Sequence, residues 1–345
     1  MSLYSLLRPV VFAFDAERAH LLSLAALRLL PAGRSRAAEP LLETRIAGLV
    51  LPNPIGLAAG YDKDGVAFQS LGRLGFGAIE VGTLTPLPQA GNPKPRLFRL
   101  LEDDAVINRM GFNNGGQDEA LLRLRKAKAS DAILGINIGA NKEAVDRIAD
   151  YASGIAQMAS VANYLTVNIS SPNTPGLRAL QDEGALRDLL AAVNDARPKH
   201  GPPIFLKVAP DLEPADIKTI VKLSTGQVDA LIVSNTTISR PPLRSRYATE
   251  SGGLSGAPLR GLAQQRMIDF RREAGPDLPL IGVGGIASAE DAYARIRAGA
   301  TFVQLYSALV FHGPGLVGAI TSGLKMLLIR DGFSKIKDAV GIDAY

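Results

Sequence analysis

Polar side chains suited to one task recur at the ends of short apolar runs. In chain order they are Lys63 after residues 55–59, Thr83 after 78–81, Asn137 within 133–138, and Asn168 with Ser170 and Ser171 at the end of 164–168. Lys207 follows inside 204–208, and Ser234, Asn235 and Thr236 close 230–234 and the turn beyond it. Amides present donors and acceptors together, so a ring of them suits a planar, hydrogen-bonding heterocycle; a metal would call for carboxylates and imidazoles. Lys207 stands among Phe205, Leu206 and Val208, the neighbours of a buried strand, where an unpaired ammonium is costly. The last two runs carry a different signal. Gly282, Gly284 and Gly285 lead through Ser288 into a helical stretch, Gln304 to Ser307 ends the final run, and Gly252, Gly253 and Gly256 form a third glycine-rich turn. Glycine lets backbone N–H groups approach an anion and a helix start adds favourable partial charge, so these loops read as a phosphate site. A tight turn is the plain alternative for any one of them.

The elements that must hold these residues are apolar runs at 55–59, 78–81, 133–138, 164–168, 204–208, 230–234, 280–283 and 302–306, separated by longer helical stretches. Eight such units predict a closed parallel (β/α)8 barrel, the TIM barrel, whose strand ends form the active-site mouth. A doubly wound open sheet fits the same alternation and stays open as the alternative. The length of 345 residues suits one barrel with an appendage. That appendage is residues 1–38, leaving 39–345 as the catalytic domain. Leu3, Leu6, Leu7, Val10 and Phe14 follow helical spacing with Pro9 as a kink or restart, and Asp15 caps a second helix rich in leucine that Pro31 and Gly33 end. From pattern alone, the two helices either pack on the barrel or lie on a membrane surface.

Composition narrows the chemistry. There is no cysteine, which excludes a disulfide framework, a thiolate metal site and a cysteine nucleophile, so redox work needs a bound cofactor. With three histidines, His20, His200 and His312, no histidine-centred metal site is expected. The net charge of +5 is concentrated at the start, where five arginines oppose Asp15 and Glu17 within residues 1–38; without a basic stripe it does not indicate nucleic acid. No run approaches the ~18 apolar residues of a spanning helix, and the start lacks the pattern of a secretory signal, so the chain is expected on the cytoplasmic side.

Four longer segments resemble the signatures of class 2 dihydroorotate dehydrogenases: Ala58-Ala59-Gly60-Tyr61-Asp62-Lys63-Asp64-Gly65, Asn108-Arg109-Met110-Gly111-Phe112-Asn113-Asn114, Asn168-Ile169-Ser170-Ser171-Pro172-Asn173-Thr174-Pro175-Gly176, and Gly252-Gly253-Leu254-Ser255-Gly256. The resemblance implies oxidation of dihydroorotate to orotate in pyrimidine biosynthesis, with one FMN per chain and a quinone as co-substrate. FMN would then be held by Ala59, Gly60, Tyr61, Asp62, Lys63, Thr83, Asn137, Asn168, Lys207, Ser234, Gly256, Gly285, Tyr306 and Ser307. Orotate would meet Lys63, Asn108, Arg109, Met110, Gly111, Phe112, Asn168, Asn173, Asn235 and Thr236, with Ser171 as the base, aided by Thr174. The soluble class 1 enzymes place cysteine at that position, so serine in a chain without cysteine points to class 2. His20, Arg99 and Tyr306 match polar residues at the inner end of a quinone passage formed by the amino-terminal helices. The likeness further implies peripheral attachment to an anionic membrane surface, no metal, no nucleic acid and no obligate protein partner.

Three rivals share parts of this pattern: an FMN barrel for another dihydropyrimidine, a phosphate-ligand lyase or isomerase on the same fold, and a non-catalytic binding barrel. A flavin spectrum would exclude the lyase or isomerase.

Overall fold

The computed structural model describes residues 3–30, 39–127 and 132–345. Its eight barrel strands are β1 (Ile55–Leu57), β2 (Ala78–Leu84), β3 (Ile133–Ile138), β4 (Tyr164–Asn168), β5 (Ile204–Val208), β6 (Ala230–Val233), β7 (Leu280–Val283) and β8 (Phe302–Leu305). They pair in parallel in the order β6-β7-β8-β1-β2-β3-β4-β5 and close on themselves, so the chain is a TIM barrel and not an open sheet. Both faces of these strands are covered, which is why they read as apolar runs without alternation. β2 extends to Leu84, beyond its apolar run, while β1, β6 and β8 stop one or two residues sooner, where the chain turns into the mouth.

Inward-facing residues fill the barrel's lower half. Tyr164 and Phe205 stack at 4.7 Å between ring centroids beside Phe302, Ala78 and Ala230. Space for the tyrosine comes from Gly135, where a Cβ would lie 2.0 Å from its ring. Ile46 and Leu51, from the antiparallel hairpin Thr44–Ile46 and Leu49–Leu51, plug this end. The hairpin was not expected from the sequence. Nor was a three-stranded antiparallel sheet of Leu97–Leu100, Ala105–Asn108 and Gly253–Gly256, which joins the loops after β2 and β6 at the opposite, mouth end.

Helices α1 (Leu3–Ala13) and α2 (Ala16–Arg28) lie at the mouth. Asp15 caps α2 as expected, its carboxylate accepting from the N–H groups of Glu17 and Arg18. Pro9 does not end α1; the helix continues through it to Ala13, without the hydrogen bond that the missing N–H would have made. Pro31 and Gly33, expected to end α2, lie outside the described residues, as does the boundary at 38.

Candidate functional site

A cavity of about 850 Å3 opens where the strands end and runs outward to α1 and α2. Its floor is built from amides. Asn137 lies fully buried behind the wall: its Nδ2 donates to Glu80 (2.7 Å), and its Oδ1 accepts from Thr83 (2.6 Å) and Asn168 (3.0 Å). Asn168 in turn accepts from the Ser170 hydroxyl at 2.8 Å, and Asn235 donates to Ser170 at 2.9 Å. Each amide is thereby locked in one orientation, and the floor presents fixed donors and acceptors.

Two ammonium groups reach this space without a hydrogen-bond or ion-pair partner among the described residues. Lys207, 4% exposed, is pushed below its ordinary pKa by burial, which the Glu80 carboxylate opposes. Lys63 is pushed down to about 8, by burial first and then by the like charge of Arg96. Ser234 adds a buried hydroxyl with no hydrogen-bond partner among the described residues. On the opposite wall, Gly256, Gly284 and Gly285 all have positive φ, and a Cβ at Gly285 would lie 2.4 Å from the Arg260 backbone. Only glycine fits that turn, which leaves a cradle beside the start of the helix Ala289–Arg297. Ser307 and Ser255 close it with a 2.7 Å hydrogen bond.

Ser171, 5% exposed, lies in the cavity wall, and its Oγ accepts from the Asn173 N–H at 3.3 Å. Asn173 donates to Asn108 at 3.3 Å, bringing the loops after β4 and β2 together. Met110, Gly111, Phe112 and Thr236 line the same end, and Ala59, Gly60 and Tyr61 line the middle.

The cavity's outer part is apolar. Ala19, Leu22, Ala26 and Leu27 of α2 face it, with Val11 and Phe14 at its edge. His20, Tyr61 and Tyr306 form an aromatic cluster at its inner end, with centroid separations of 5.2 Å for His20 to Tyr61 and 5.5 Å for Tyr61 to Tyr306. Burial, with Lys63 nearby, pushes His20 down to about 3, so its ring is neutral near pH 7. Arg99 donates to the carbonyls of Val11, Phe12 and Phe14 and sits 4.8 Å over the Phe12 ring, tying α1 to the sheet below.

Three predicted residues do not present their side chains here. Asp62 is fully buried, and its carboxylate accepts from the N–H groups of Val66 (2.8 Å) and Ala67 (2.7 Å), shaping the loop. The side chain of Arg109 turns away to Glu250 at 2.7 Å and stacks over Phe98. Asn137 acts from behind the wall. Sequence reading missed Glu80, although a lone carboxylate in Ala78-Ile79-Glu80-Val81 is as conspicuous as Lys207 in its strand. It also missed Arg96, buried and paired bidentately with Glu17 of α2 at 2.8 and 3.2 Å. No sequence signal links residues that far apart.

The described residues contain no cluster of His, Asp or Glu able to hold a metal. The donor set instead fits FMN: a glycine cradle for its phosphate, unpaired Lys207 and Ser234 for its ring system, and a cavity of sufficient volume.

Known proteins resemble this chain in sequence and fold. Residues 41–328 match the family model described as dihydroorotate dehydrogenase. A Sphingopyxis alaskensis protein named dihydroorotate dehydrogenase (quinone) is 60% identical, the match covering 99% of this chain and 97% of the relative. One of the same name from Erythrobacter litoralis is 58% identical, covering 98% and 99%. The crystal structure of the Eimeria tenella enzyme DHODH in complex with ferulenol superposes with a TM-score of 0.90 at 37% identity, over 97% of this chain and 98% of that one. The likeness runs over nearly the full length of the chain and of these relatives, and the chain belongs to the dihydroorotate dehydrogenase family, in its class 2 branch.

Proposed function

We propose that this chain oxidises (S)-dihydroorotate to orotate on one bound FMN and passes the electrons to a membrane quinone, as a step of pyrimidine synthesis. The observation that carries this reading is the continuity of the cavity: Ser171, Lys63 and the amides at one end, Lys207 at the centre, and an apolar vestibule under α1 and α2 at the other. When bound, FMN supplies a hydride acceptor that a quinone can reoxidise.

Lys63 clamps the substrate carboxylate, and Asn108, Asn173 and Asn235 match the alternating N–H and C=O edge of a dihydropyrimidine. Ser171 takes the proton from the carbon next to the ring carbonyl. A serine is a weak base, so the buried wall and the Asn173 N–H, which favours developing charge on Oγ, both matter. Thr174, buried in the same loop, aids the proton's exit. Lys207, in the cavity wall, would hold the flavin ring and supply positive charge to stabilise the negative charge of its reduced form.

Residues 1–38 form the quinone-access segment and 39–345 the catalytic barrel. Leu6, Leu7 and Val10 on α1, Leu21 and Leu22 on α2 and Leu29 at its C-cap are exposed, apolar side chains suited to an anionic bilayer surface. Among the described residues no helix is long and apolar enough to cross a membrane. The reading takes attachment to be peripheral, at the cytoplasmic side, with no obligate protein partner and no nucleic acid.

The direct test is oxidation of dihydroorotate with a quinone, NAD and fumarate as competing acceptors, on protein whose flavin has been identified. Preference for NAD or fumarate, or FAD in place of FMN, would overturn the reading. A second test uses Lys63. Its ammonium is charged below about 8 and lost above, so orotate affinity, read from the perturbed flavin spectrum, should weaken by roughly tenfold per pH unit above that value. Lys63→Met should bind more weakly and lose this dependence; a flat wild-type profile through the same range would mean that Lys63 does not hold the carboxylate.

A further inference from the structure

The eight barrel strands contain three titratable side chains: Glu80 on β2, Tyr164 on β4 and Lys207 on β5. All three are buried, at 0%, 2% and 4% exposure. Strands β1, β3, β6, β7 and β8 contribute none, so inside the barrel one potential anion faces one cation and one phenol. Lys63, outside the strands, sits at the mouth.

The hydrogen bonds of Glu80 show how its charge is handled. Oε1 accepts from Asn137 at 2.7 Å; Oε2 accepts from Gln304 at 2.7 Å and from the Tyr164 hydroxyl at 3.2 Å. These donors are neutral. Tyr164 keeps its proton, since burial and then the neighbouring carboxylate both push its hydroxyl well above the ordinary phenol range. Three neutral hydrogen bonds orient a carboxylate but do not balance it, and an uncompensated buried charge is among the most costly groups a fold can hold. The one cation on the barrel strands is Lys207, which is paired with Asn168 in the strand register and whose ammonium burial drives toward the neutral form, an effect that Glu80 opposes.

We propose that Glu80 is the counter-ion of Lys207 and a positioning residue for the reaction, keeping the ammonium charged against the flavin ring and so setting the potential at which the flavin accepts electrons. The proposal rests on reading the cavity as an FMN site. Asn137 fixes the geometry, since the amide that donates to Glu80 also accepts from Thr83 and Asn168 in the cavity wall. Carboxylate and flavin-facing wall are therefore held in one hydrogen-bonded frame.

Glu80→Gln tests this with little disturbance to the fold. The new amide keeps an oxygen for Asn137, and its NH2 meets Gln304, whose Oε1 has no partner among the described residues and can accept once that amide rotates. Two readouts apply, with Lys207→Met and the double variant in parallel. The first is the Lys207 Nζ titration by 15N NMR, assigned by its loss in Lys207→Met: in Glu80→Gln its pKa should fall by at least about one unit. An unshifted Lys207 overturns the counter-ion role. The second is the flavin midpoint potential against pH in the FMN-loaded proteins. In Glu80→Gln the curve should gain a break where Lys207 loses its proton, meet the Lys207→Met curve above it, and lose that break in the double variant. A curve parallel to wild type, or a break that persists without Lys207, overturns the redox role. A Lys207 shift in Glu80→Gln, together with a wild-type protein that binds no FMN, would instead refute the flavin reading of the cavity, and with it the redox half of the proposal.

Discussion

Ser171→Ala is expected to slow reduction of the bound flavin by dihydroorotate about 100-fold or more, the usual scale for a positioned base, while FMN and orotate continue to bind. The change removes one oxygen from a site 5% exposed, and with it the 3.3 Å hydrogen bond that Oγ accepts from the Asn173 N–H. Its effect on stability should stay near ~1 kcal/mol, so a large rate loss cannot be attributed to unfolding. Anaerobic stopped flow isolates this half-reaction from reoxidation, and orotate titration of the flavin spectrum reports on binding. Ser171→Cys should keep part of the activity, because a thiol ionises more readily than a hydroxyl. Near-normal reduction in Ser171→Ala would move the base elsewhere, with Thr174, 3% exposed in the same loop, the next residue to test.

Deleting residues 1–38 should split the two half-reactions. Every side chain proposed to touch flavin or orotate lies beyond this segment, so reduction by dihydroorotate should persist. Reoxidation by a long-tailed quinone should fall at least about tenfold, since even ~1.4 kcal/mol of lost apolar binding has that effect. A small water-soluble acceptor should be affected far less. Binding to anionic vesicles should weaken too, most visibly at low salt, where the arginines of the segment act on the surface. The fold adds a condition. Glu17 of α2 accepts two hydrogen bonds from Arg96, which also donates to the carbonyls of Ala90 and Asn92 and so braces the loop next to the substrate end. Burial raises the Glu17 carboxyl but Arg96 and Lys94 outweigh it, holding it below its ordinary value. Deletion removes this partner and loosens the loop, so some weakening of orotate binding should accompany the loss of quinone turnover. Removing residues 1–13 alone leaves the Asp15 cap and Glu17 in place and should reduce vesicle binding with orotate affinity intact. Full-length rates with long-tailed quinone in the 1–38 deletion, in a protein that retains FMN, would make the helices packing elements.

Much of the chemistry was legible in order along the chain. Parallel strands covered on both faces leave continuous apolar runs, so all eight could be placed, and a polar residue at the end of such a run has the mouth of the barrel as its natural destination. Lys207, Asn168, Ser171 and the paired glycines were found in that way. Local pattern does not fix where a side chain turns once the backbone has arrived. Asp62 and Arg109 lie in the right loops, yet one is consumed by two backbone N–H groups and the other by Glu250, partners set by loop closure. The hairpin plug and the sheet over the mouth escaped notice because their strands are three or four residues long and their pairing joins the loops after β2 and β6. What the sequence determined by itself was the barrel, the set of polar groups at its mouth and the family they resemble, because those depend on residue type and short-range period. What only the tertiary structure decided was which groups meet: Glu80 with the Asn137, Tyr164 and Gln304 side chains, Glu17 with Arg96, and substrate end with helical vestibule in one cavity, since each joins distant segments that come together only when the barrel closes.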